Sequence, residues 1–118
     1  MTEKELVKHI QDRLDGATAI VERTSQYNKF EELEVKCLYE YLILQCNNTK
    51  HFVGLLTTRE WEEKELFRVY YLVYHSISSI LQIIRYEKDN FEYYDYMILD
   101  ELLTDCLQTI SGQVVLAQ

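Results

Sequence analysis

Between Thr57 and Glu87 the chain carries Trp61, Leu66, Phe67, Tyr70, Val73, Tyr74, Ile77, Ile80, Leu81 and Ile84, with no glycine or proline among them. Apolar residues at gaps of one, three and four share one side of an α-helix. A helix of about thirty residues reaches about 45 Å, so the remaining segments must pack along it to bury that side. Thr57 and Glu60 stand three apart just ahead of the run, the spacing of a capping box. The pattern predicts a central helix over 58–87 with Leu66, Tyr70, Val73, Ile77, Ile80 and Leu81 in the core.

Three further helices are predicted around it. Leu6, Ile10, Leu14, Ala17 and Val21 recur at helical spacing behind a Thr2–Glu5 capping pair, which gives a helix over 3–23 with a bend at Gly16. The polar Thr24-Ser25-Gln26-Tyr27-Asn28 reads as a connection. A second helix over 29–46, capped by Asn28 with Glu31, is expected to bury Phe30, Leu33, Cys37, Leu38, Tyr41, Leu42 and Leu44. From Tyr39 to Leu44 it is nearly all apolar, which calls for cover on more than one side. Asn47-Asn48-Thr49-Lys50 should break it, and 51–56 should form a short helical turn or an extended strap that buries Phe52, Leu55 and Leu56. Asp89 or Asn90 should cap a last helix over 91–111. Its core stripe is Phe91, Tyr94, Ile98, Leu102, Cys106 and Ile110, broadened by Leu99, Leu103 and Leu107. Ser111-Gly112 suits its C-cap, ahead of a short apolar tail, Val114-Val115-Leu116.

Four helices with short connections make an all-α, antiparallel bundle, and 118 residues are expected to form one helical domain over 1–118. No proline and three glycines suit long helices, not the many turns of a β-sandwich. Cys37, Cys46 and Cys106 are odd in number and unpaired in spacing, so a disulfide framework is not expected and each reads as a small apolar side chain. The first residues lack the apolar core of a secretory signal, and no run is long enough to span a membrane. A reducing cytoplasm, the cell's own or a host's, is the expected compartment.

The chemistry-bearing patterns are few. The residues three before His9, His51 and His75 are Leu6, Asn48 and Leu72, so the Glu-x-x-His pairs of a di-iron bundle are missing. CxxC, HExxH and glycine-rich phosphate loops are missing too, and no metal or other cofactor is expected. On the predicted central helix, Arg68 and His75 are two turns apart and share a side with Tyr71, Gln82 and Tyr86. This Arg-x6-His spacing in an all-α chain resembles the motif of HEPN ribonucleases. The resemblance implies an Arg68–His75 pair meeting its copy across a dimer to cleave RNA.

Charge points elsewhere. The net charge is −8, and residues 89–118 hold six acids with no Lys or Arg. Such a field repels nucleic acids and anionic membranes and attracts basic partners. Asp89, Glu92, Tyr93, Tyr96 and Asp100 follow helical spacing on the side away from Tyr94 and Ile98, an acidic face set with tyrosines. Tyrosine anchors interfaces at small entropic cost, and carboxylates around it steer a basic surface in. The chain is therefore expected to be a small, non-enzymatic protein-binding module that covers a basic surface on another protein. Immunity proteins, antitoxins and phage-type inhibitors share that physical logic. Direct nucleic-acid and membrane contacts are not expected, and a homodimer stays open. Arg68, Tyr71, His75, Gln82 and Tyr86 form the second candidate surface; a HEPN-like ribonuclease or a structural subunit of a larger assembly is the alternative.

Overall fold

The Glu5 amide donates to the Thr2 hydroxyl (3.1 Å) and opens the first helix of the computed structural model, which describes residues 1–27 and 33–117. Four helices follow in order: α1 (Glu3–Tyr27), α2 (Leu33–Gly54), α3 (Glu63–Tyr86) and α4 (Tyr93–Ala117). Short 3-10 turns, Leu55–Thr57 and Lys88–Asn90, precede α3 and α4. Each helix packs on two neighbours, α1 on α2 and α4, α3 on α2 and α4, which closes a four-membered ring. Paired residues run in opposite senses along neighbouring helices, Asp105 with Arg13 and Asp95 with Arg23, so α4 lies antiparallel to α1. The result is an all-α bundle 49 Å long and about 20 Å across, with no strand among the described residues.

The core is one continuous apolar cluster. It takes Leu6, Ile10, Leu14 and Val21 from α1, Tyr39, Leu42 and Val53 from α2, Val73, Ile77, Ile80 and Ile84 from α3, and Leu99, Leu103 and Ile110 from α4. On α3 the face read from periodicity points inward as expected, with Leu66 packed at its margin. Tyr39 closes one end of the core: its ring meets Phe91 edge-on at 5.4 Å, and its hydroxyl donates to the Asn90 carbonyl.

The helix boundaries depart from expectation in consistent ways. α1 continues through Thr24, which is buried and donates to the Ile20 carbonyl (2.9 Å) instead of capping a turn. It is also unbroken at Gly16, where a β-carbon would come within 3.3 Å of Leu102. α2 runs through Asn47-Asn48-Thr49-Lys50, because the buried Thr49 hydroxyl bonds the Gln45 carbonyl (2.7 Å) and meets Ser76 of α3 (2.5 Å). Helix propensity is a weak preference that such packing overrides. Helix α3 starts at Glu63, not at residue 58. Thr57 and Thr58 donate their hydroxyls back to the carbonyls of Gly54 and Leu55, so the Thr57–Glu60 box does not form. Trp61 stays outside the helix, its indole N–H on the Leu55 carbonyl (3.1 Å) and the Arg59 guanidinium over its ring (3.8 Å). Ser111 bonds back to Leu107 (2.6 Å), and α4 passes Ser111-Gly112 without ending, so the backbone of the 114–116 segment is helical. Neither Asp89 nor Asn90 caps α4: the Asn90 amide donates to Glu87 (2.7 Å), and the chain is extended at Phe91. The expected Asn28–Glu31 cap and Phe30 lie outside the described residues.

Two faces are turned from the expected ones. On α2, Leu33, Cys37, Tyr41 and Leu44 are exposed, while Tyr39, Leu42, Cys46, Thr49 and Val53 face the core. Of the expected strap, Leu56 is buried but Phe52 is 45% exposed. On α4, Tyr94 and Ile98 are 73% and 45% exposed, and the core positions are Leu99, Leu103, Cys106 and Ile110. Both helices are apolar over most of their circumference, so periodicity alone does not choose the inward side.

Candidate functional site on helix α4

The acids of α4 divide into two sets. Asp95, Asp100 and Asp105 recur every five residues and reach the flanking helices. Asp95 pairs with Arg23 of α1 (2.5 Å), and Asp105 takes Arg13 and His9 of the same helix. Asp100 receives Arg85 of α3 through two guanidinium nitrogens (2.7 and 3.1 Å), with Thr104 (3.2 Å) and the Tyr96 hydroxyl (3.4 Å) on the same carboxylate. The hydrogen bonds from Arg85, against the cost of burial, hold the Asp100 carboxyl below the ordinary range. Burial would raise Asp105, but the hydrogen bonds and charge of Arg13 and His9 outweigh it and lower it as well. These three acids clasp α4 to α1 and α3.

Asp89, Glu92 and Glu101 are exposed and make no ion pair among the described residues. Between and beside them stand Tyr93, Tyr94, Met97 and Ile98, all exposed. The rings of Tyr93 and Tyr94 meet edge-on at 5.9 Å. A shallow depression of ≈ 900 Å³ lies against Met97, Ile98, Glu101 and Leu102, with Tyr96 and Asp100 on one flank and Arg13 and Asp105 on the other. The surface is thus an apolar centre with carboxylates around it, raised on a helix that core contacts and ion pairs hold fixed.

Of the residues expected at a contact, Asp89, Glu92 and Tyr93 are open to solvent. Tyr96 and Asp100 are half-buried, the Tyr96 hydroxyl on Asp100 and Asp100 on Arg85, at the edge of the surface and not at its centre. Tyr94, Met97 and Ile98 were not expected there. The signal that points to them is α4 itself, whose 93–99 run is too apolar all round to be buried on one side.

The second surface keeps its residues together. Arg68, Tyr71, His75, Gln82 and Tyr86 are all exposed along α3. Aromatic rings line one edge: Phe67 stacks on Tyr71 (5.8 Å), and Tyr71 and Tyr74 meet the His75 ring at 4.3 and 5.7 Å. Arg68 makes no ion pair among the described residues. Cys46 and Cys106 are buried, and burial pushes their thiols up to about 11 and about 12, away from the reactive thiolate. Among the described residues no three His, Cys, Asp or Glu side chains gather as a metal site would require, and no helix is long and apolar enough to cross a membrane. Comparison with family models, with curated proteins and with solved structures finds no match to this chain.

Proposed function

We propose that the chain is a small acidic protein-binding module that works by covering a basic surface on another protein, with the outer face of α4 as its contact. One observation carries the reading. Tyr93, Tyr94, Met97 and Ile98 are exposed within six residues of one helix, beside the carboxylates of Asp89, Glu92 and Glu101, which no internal base neutralises among the described residues. Apolar anchors inside a charged rim are the anatomy of a recognition surface, with aromatic residues and methionine enriched at its centre. The inhibitory role shared by immunity proteins, antitoxins and phage-type inhibitors follows if the covered surface is where the partner binds its own anionic substrate.

The rim and the anchors act on different rates. A rim carboxylate steers the approach, so Glu101→Gln slows association and weakens its salt dependence. A central aromatic residue holds the formed complex, so Tyr94→Ala speeds dissociation and costs about 2 kcal/mol or more. Binding kinetics of the captured partner at two salt concentrations read both. If both variants bind as the parent does and salt has no effect, α4 is only a solvated face.

A second reading rests on Arg68 and His75, exposed on one side of α3 with Arg68 free of ion pairs among the described residues. As a ribonuclease pair they would make the purified protein cleave RNA, and His75→Ala would abolish the cleavage without unfolding. The binding-module reading expects no cleavage.

A further inference from the structure

Helix α2 carries a second apolar stripe on its outer side. Leu33, Cys37, Tyr41, Leu44 and Phe52 lie within an arc of roughly 100°, opposite the core positions Tyr39, Leu42, Cys46 and Val53. All five are exposed, Leu33 at 73% and Leu44 at 54%. Asn48 completes the row, and the positions 33, 37, 41, 44, 48 and 52 then step by four, four, three, four and four. That series reads the same in both directions. A two-fold interface has this requirement built in, since residue i of one copy meets residue j of the other while j meets i.

We propose that α2 pairs antiparallel with α2 of a second copy of this chain, about a two-fold axis between Tyr41 and Leu44. Tyr41 then lies over Leu44 of the second copy at the centre. Towards the ends, Leu33 approaches Phe52 and Cys37 approaches Asn48. Charge permits the approach here. The described α2 holds Glu34 and Glu40 against Lys36 and Lys50, no net charge in a chain of net −8, so two copies meet without the repulsion that other faces would impose. A stable interface needs about 800 Å² per partner, and the stripe is about 29 Å long. Width comes from α3: the Thr49–Ser76 hydrogen bond sets the register of the two helices and brings the exposed Leu72 level with Phe52.

The proposal is independent of the α4 surface, and sedimentation of the full chain across a dilution series tests it. The wild type is expected to be a dimer. Leu44→Glu places an unpaired charge at the crossing and raises the dimer dissociation constant by about 100-fold or more, with the helical circular dichroism unchanged because Leu44 is outside the core. Tyr71→Glu on α3 and Met97→Glu on α4 leave the dimer intact. Register is read by a short thiol–thiol cross-linker: Asn48→Cys joins Cys37 of the second copy, whereas wild-type Cys37, about 16 Å from its own symmetry mate, does not join itself. A monomeric wild type, a dimer that survives Leu44→Glu, a dimer lost with Tyr71→Glu or Met97→Glu, or a cross-link through Cys37 alone overturns the proposal. So does a dimer in which Asn48→Cys gives no cross-link.

Discussion

At the scale of single residues, the acids of α4 show why a count of charges does not locate a surface. Asp95, Asp100 and Asp105 stand in the same acidic stretch as Glu92 and Glu101, yet they are taken by Arg23, Arg85 and Arg13. The bases they meet are 72, 15 and 92 residues away in the chain, and no local pattern foretells such pairs. Asp100 and Asp105 have carboxyls lowered from their ordinary value. A lowered carboxyl adds stability at pH values above its unfolded value, near 3.9, and that stability is lost as pH falls through the lower folded value. The share of stability that these two carboxylates supply should therefore hold from neutrality down to about pH 4 and be lost below, and Asp100→Asn should reduce the loss. Because half of the Arg85 side chain is open to water, that substitution should cost only about 0.5–1 kcal/mol at neutral pH. Urea unfolding at several pH values measures both. Equal acid sensitivity of parent and variant would show that Asp100 takes no part in the linkage.

Single elements differ in how much of them the sequence displays. Helix α3 has a polar side and an apolar side, and its inward positions Tyr70, Val73, Ile77, Ile80 and Leu81 are legible from spacing alone. Helices α2 and α4 are apolar on two sides, so their spacing fits two orientations. What decides between them is tertiary: Thr49 on Ser76, Lys50 on Asp15, and the three aspartates of α4 on α1 and α3. The same ambiguity hid Tyr94 and Ile98, because a residue assigned to the core is not considered for a contact, and Met97 belongs to neither of the two faces that spacing picks out. The boundaries of α1, α2 and α4 run past polar clusters for a related reason, since Thr24, Thr49 and Ser111 bond the carbonyl four residues back and stay helical. For α3 the reading has a quantitative test. Ile77 is fully buried at the centre of the cluster, so Ile77→Ala should destabilise by about 2–5 kcal/mol through the cavity it leaves. A cost below about 0.5 kcal/mol, the usual size of a surface substitution, would show that this side does not face the core.

For the molecule as a whole, the four-helix architecture gathers most of the exposed apolar side chains among the described residues on α2 around Leu44, on α3 around Tyr71 and Leu72, and on α4 around Tyr94. Only the last stands beside unpaired carboxylates on a helix that carries no Lys or Arg of its own, clasped from both sides by arginines already paired with its aspartates, which is why it is the one proposed to meet a basic partner. Side-chain footprinting by hydroxyl radicals, on the free chain and on its complex with the captured partner, tests that claim most directly. Tyr93, Tyr94 and Met97 should react strongly in the free chain and be protected in the complex, while Tyr71 and Tyr86 on α3 keep their reactivity. Protection of Tyr71 and Tyr86 with Tyr94 and Met97 still reactive would contradict it.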